Sequence, residues 1–328
     1  MIETFTLTKR YGDTLAVDRL TITVRPGQVT GFLGPNGAGK STTIRLIVGL
    51  DHPSAGKALV NGAPYASHRD PLHQVGVLLD AKAVHPARTA RAHLRAVAAT
   101  QGLGARRADE VLEMTGLTKV AHRRVGSFSL GMAQRLGIAG ALLADPLTLI
   151  LDEPVNGLDP EGVAWVRTLL RHEADRGKTV FLSSHLMSEM ALVADHLVII
   201  GRGRLLLEQA TAQFIADSSE RAVRVRSPQA ALIARDVAGP GVRVRSLEPG
   251  LLEIHGIAAE TIGDMAVAQR WVLHELTPLQ VSLEDAYMKL TESQVDYAGR
   301  DLAEAAGGGT PHDDTHRDGR RAKGGRRA

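Results

Sequence analysis

Nine consecutive residues carry the chain's clearest chemistry: Gly34, Pro35, Asn36, Gly37, Ala38, Gly39, Lys40, Ser41 and Thr42. Their spacing matches G-x-x-x-x-G-K-[ST]. Glycines let successive backbone N–H groups turn inward around phosphate oxygens. A helix starting near Gly39 adds the positive end of its dipole. Lys40 then reaches the β- and γ-phosphates of a nucleotide, and the Ser41 hydroxyl supplies a ligand for Mg²⁺. The bland reading, a glycine-rich turn with a chance lysine, gives no reason for the strand before it and the helix after it.

A second stretch, LTLILDEP (147–154), ends an apolar run in Asp152 and Glu153. Open α/β sheets bind ligands at the carboxyl ends of their strands. There Asp152 would hold Mg²⁺ through water, and Glu153 would polarise the attacking water as general base. Alone, a DEP triplet is as readily a helix cap and turn. The run TVFL is followed by Ser183, Ser184 and His185. At the end of a strand beside the phosphate loop, His185 would donate to a γ-phosphate and orient the water; elsewhere a lone histidine is structural or solvated.

These groups need a scaffold. Phe5, Leu7 and LTITV (20–24) read as strands, and Pro26-Gly27 as a turn. VTGFL (29–33) is a buried strand, followed by the helical spacing of GKSTTIRLIVGL. VGVLL (75–79), LTLIL (147–151), TVFLS (179–183) and HLVII (196–200) are further buried strands, with a helix over 163–177 ended by glycine. Apolar strands alternating with helices imply an α/β fold with a mostly parallel sheet covered on both faces. A helical insert spans about 85–144. GRGR (201–204) reads as a hairpin turn.

In this order the motifs resemble the nucleotide-binding subunit of ABC transporters, over roughly residues 1–215. The resemblance makes GPNGAGKST the Walker A, FSLGMAQR the signature, LILDEP the Walker B, NGLD (156–159) the D-loop and SSH the switch histidine. It implies a P-loop NTPase core with N-terminal antiparallel strands and a helical signature subdomain. ATP and Mg²⁺ are the cofactors it implies. Tyr11, 29 residues before Lys40, falls where that family stacks adenine on an aromatic ring. The signature of one copy meets the γ-phosphate held by another, which assigns Ser129 and the Gly131 N–H to that contact. Asp159 would reach across the same interface. Ser129 as a plain helix cap is compatible with both uses. Within the family pattern LSGGQ, Leu130 replaces the first glycine and Met132 the glutamine. After VGVLL the family carries a metal-sensing glutamine; here it is Asp80, read either as facing Mg²⁺ or as a turn acid.

Beyond about residue 215 a second unit is expected. AVRVRS (222–227) and GVRVRS (241–246) nearly repeat, LLEIHG (251–256) is another strand, and 258–272 is helical. Residues 221–291 read as a small α+β accessory domain. SLEDAYMKLT (282–291) resembles the closing segment of ATP-binding subunits of drug-type exporters, which pair with separate permeases. Residues 305–328 cannot form a core and read as a disordered basic tail. Residues 306–328 hold six Arg/Lys and three Asp, which accounts for the chain's whole formal charge of +3. The neutral body argues against a nucleic-acid partner.

The chain has no cysteine, which excludes disulfides and thiolate chemistry. No apolar run approaches the ~20 residues of a membrane helix, and the first residues lack a signal-peptide pattern. The reading is an ATPase that pairs with a second copy of itself. It would work at the cytoplasmic face of the membrane, through a separate transmembrane permease, on drug-like or lipid-like cargo. The other reading is a soluble ABC ATPase acting on ribosomes or nucleic acid, against which stand the single P-loop and the absence of sustained heptads.

Overall fold

In the computed structural model, which describes residues 1–184, 187–218, 222–279 and 283–291, the chain opens with antiparallel pairing. Strands β1 (Ile2–Tyr11), β2 (Thr14–Leu20) and β3 (Thr23–Val24) form a sheet around β1, which β5 (Ala55–Val60) joins later. A six-stranded sheet comprises β4 (Gln28–Leu33), β6 (Val75–Leu78), β7 (Thr148–Asp152), β8 (Thr179–Ser183), β9 (His196–Gly201) and β10 (Arg204–Ala210). Its order is β10-β9-β4-β8-β7-β6. Every pair is parallel except β9 with β10, which turn at Arg202 and Gly203, both with positive φ. This is the hairpin read from GRGR.

The central strands are mostly apolar because each buries both faces. Phe32, Ile150, Phe181, Val198 and Ile200 point to one side, against α1 (Lys40–Ile47) and the antiparallel sheet. The Phe32 and Phe181 rings lie 5.0 Å apart there. Val29, Leu33, Leu149, Leu151, Leu182 and Ile199 point to the other side, into a core shared with the helical insert. Full burial of each such aliphatic side chain contributes about 1.5–3 kcal/mol. That packing fixes where the carboxyl ends of the strands stop, and those ends carry the chemistry.

A short α2 (Pro71–Gln74) leads into β6. The insert follows as α3 (Ala90–Thr100), α4 (Ala105–Met114) and α5 (Leu130–Leu142). Thr89 caps α3 by accepting from the Ala92 N–H. After β7, α6 (Pro160–Asp175) starts with proline at its first position and stops before Gly177. Then come α7 (Met187–Val193) and α8 (Thr211–Ser218).

The small unit runs β11 (Ala222–Arg226), α9 (Ala230–Asp236), β12 (Arg243–Glu248), β13 (Leu251–His255), α10 (Ala259–Gln269) and β14 (Glu275–Leu279). Its antiparallel sheet has the order β12-β13-β11-β14, a split βαβ arrangement. Val225, Ile233, Ile254, Ile262 and Trp271 fill a core of its own. The sequence reading missed α9. Its final helix, α11 (Leu283–Thr291), packs elsewhere than the accessory domain assumed for 221–291. Leu283, Ala286 and Tyr287 join the core of the first unit, against α7 and α8. The expected tail, 305–328, lies outside the described residues.

Candidate functional site

β4 ends at Leu33, and the chain turns through Gly34–Gly39 before α1 begins. Gly39 has φ +102°, and a Cβ there would sit 2.5 Å from the Ala16 carbonyl oxygen, so the turn requires glycine. The turn aims the first N–H groups of α1 outward from the strand end, where they suit an anion. Asn36, Gly37, Ala38, Gly39, Lys40, Ser41 and Thr42 line a cavity of about 400 Å³ with Asp152 and Glu153. Ala16 and Leu79 complete its wall.

Lys40 is only 9% exposed. Its Nζ donates to the carbonyls of Gly34, at 2.5 Å, and Pro35, at 3.2 Å. Burial pulls the ammonium below the usual lysine range, while the charges of Glu153 and Asp152 oppose that pull. Charged phosphate oxygens are stronger acceptors than the two carbonyls it holds.

Asp152 closes β7 directly opposite Ser183 on β8. The Ser41 hydroxyl donates to Asp152 Oδ2 at 2.9 Å, and the Ser183 hydroxyl donates to Oδ1. Glu153 follows with φ +50°. Its N–H donates to Ser183 Oγ at 3.0 Å, and its carbonyl accepts from Gln134 Nε2 at 2.9 Å. The phosphate loop, β7, β8 and α5 thus meet at one hydrogen-bonded node. Ser41 and Asp152 supply two hard oxygen donors, which fit Mg²⁺ taking its other ligands from phosphate and water. Among the described residues no three His, Asp or Glu side chains gather to hold a metal by themselves.

The remaining candidates stand outside this cavity's lining. Tyr11 is half-exposed at the end of β1, and its hydroxyl donates to Asp51 Oδ2 at 2.9 Å. Hydrogen bonds from Arg45 and then Tyr11 hold the Asp51 carboxyl at about 2. Ser129 caps α5, accepting from the Met132 N–H at 3.2 Å. Asp159 caps α6 through the Gly162 N–H at 2.9 Å. Asp80 accepts from the Lys82 N–H at 2.8 Å, the turn-acid geometry. His185 lies outside the described residues, although β8, the strand before it, adjoins β4 as expected.

The sequence reading assigned nothing to Ser183 or Gln134. Ser183 is found only through strand register. Gln134 left a faint sign: a buried amide among the alanines and leucines of α5. The signature and D-loop also touch within the chain. A Cβ on Gly157 (φ +74°) would overlap the Leu130 side chain, and one on Gly131 would sit 3.2 Å from the Gly157 carbonyl oxygen. A separate apolar groove of about 430 Å³ opens between β6 and the insert, with Leu50, Leu72, Val77, Val84, His93 and Val97 along it.

Comparison with known proteins gives consistent matches. Residues 17–156 match the ABC transporter family, and residues 221–284 match a domain family of unknown function. The chain is 45% identical over 211 residues to "Bacitracin transport ATP-binding protein BcrA" of Bacillus licheniformis, covering 63% of this chain and 69% of that protein. It is 33% identical over 295 residues to "Uncharacterized ABC transporter ATP-binding protein YhcH" of Bacillus subtilis (strain 168), covering 89% and 96%. A solved structure, "Structure of ATP binding subunit of ABC transporter", superposes with a TM-score of 0.61 at 27% identity, over 66% of this chain and 92% of that one.

Proposed function

The chain belongs to the ABC transporter family as an ATP-binding subunit, and on that premise we propose that two copies close around two ATP molecules to drive a separate membrane permease in export. The node joining Ser41, Asp152, Ser183 and Glu153 at the mouth of the phosphate loop carries this reading. Lys40 exchanges its loop carbonyls for β- and γ-phosphate oxygens. Ser41 and Asp152 hold Mg²⁺, which when bound neutralises charge on those oxygens. Glu153 takes the proton of the attacking water, and His185 orients that water against the γ-phosphate.

Ser129 and the Gly131 N–H engage the γ-phosphate held by the second copy, with Asp159 at the same interface. Tyr11 leaves Asp51 to stack on adenine. The groove beside β6 has the apolar lining that a permease segment would bury, which brings the chain to the cytoplasmic face of the membrane. The bacitracin transport relative supports a drug-like or lipid-like cargo.

Replacing Glu153→Gln tests the assignment. Hydrolysis falls by about 10²–10⁴-fold while ATP binding persists and the two-copy state accumulates on size exclusion. Undiminished turnover would remove Glu153 from its role as base.

A further inference from the structure

Glu153 holds its carboxylate on a left-handed backbone, φ +50°. A residue with a side chain keeps that conformation only where its surroundings enforce it. Two side chains do so here. Ser183 on β8 takes the Glu153 N–H, and Gln134 on α5 donates to its carbonyl at 2.9 Å. Gln134 is 5% exposed, on a helix that otherwise buries Ala133, Leu136, Ile138 and Ala139. An amide is costly in such a place unless it is hydrogen-bonded, and the Glu153 carbonyl supplies a partner.

The same helix has a second duty in the two-copy reading, on which this inference rests. Its capped end, Ser129, meets the triphosphate of the neighbouring copy. Gln134 sits five residues further on, about 7.5 Å along the axis. A helix moves as a rigid unit, so seating its tip shifts the amide by a similar displacement. We propose that Gln134 is a positioning residue that couples the two sites: it carries engagement of α5 by one copy's ATP to the Glu153 of its own chain. Each nucleotide then helps set the base that activates the water attacking the other.

Two variants test this in steady-state ATP hydrolysis. Gln134→Met keeps the length and loses the donor. Its kcat falls about 10–100-fold with KM for ATP within about twofold, because the base is misplaced while the phosphate loop is untouched. Its Hill coefficient falls from near two, the number of sites, to about one. Gln134→Glu gives a second readout should Gln134→Met fail to fold. A protonated acid restores the donor, so the ratio of its activity to that of the unaltered protein rises as pH falls from about 8 to about 6.

Unchanged kcat and Hill coefficient, a loss in KM alone, or a flat pH ratio overturns the assignment. If the unaltered protein is cooperative and Gln134→Met is equally so, only the role of Gln134 fails. Should the unaltered protein hydrolyse ATP without cooperativity and remain a single copy with Mg²⁺-ATP, the two-copy reading fails, and the coupling with it.

Discussion

Leu130 fills a position where the family pattern has glycine, and Gly157 answers it by having no side chain. The pair predicts a compensating double substitution. Gly157→Ala forces a Cβ into the Leu130 side chain on a backbone at φ +74°, and destabilises the chain by about 1–3 kcal/mol. Adding Leu130→Gly removes the overlap but leaves the backbone strain. Chemical denaturation of the four proteins in this cycle shows a coupling of about 0.5–3 kcal/mol; strict additivity would deny the contact. Residues of this kind mark what the sequence displays and what it hides. The phosphate loop declares itself because its chemistry is local, nine residues long. Ser183 and Gln134 act on residues 31 and 19 positions away, and only strand register and helix packing bring them there.

At the scale of elements, the apolar strands of the central sheet and the three long helices of the insert show in their hydrophobic patterning, whereas β5, with the sequence AGKALV, gave no strand pattern to read. The short α9, seven residues between two near-identical VRVRS strands, gave too few turns for a period to show. More instructive is α11. Sequence adjacency assigned it to the small unit, whereas its apolar stripe matches a gap between α7 and α8. Leu283 is 2% exposed there. Leu283→Ala is expected to cost about 2–5 kcal/mol, and to lower the unfolding midpoint of the ATP-holding unit although the residue follows the small one in sequence. Guanidinium denaturation followed through retention of a fluorescent ATP analogue reads this; an unaltered midpoint would detach α11 from that core.

For the whole molecule, the formal charge resides in the last residues, and among the described residues no helix is long and apolar enough to cross a membrane. The proposed attachment to a permease would use a surface, and the apolar groove beside β6 is the candidate. Leu50 lines it and is 56% exposed, so Leu50→Arg changes stability by no more than about 0.5 kcal/mol while placing a charge in the proposed docking face. Sedimentation with membranes from permease-bearing cells drops, and ATP hydrolysis by the purified chain does not. Equal sedimentation would place the contact elsewhere. The small unit, 222–279, is spliced between α8 and α11, which lie against each other. A pendant fused at one end would trail behind the motor. This one departs from one of two touching helices and returns at the other, so a pull on it would bear on both helices at once.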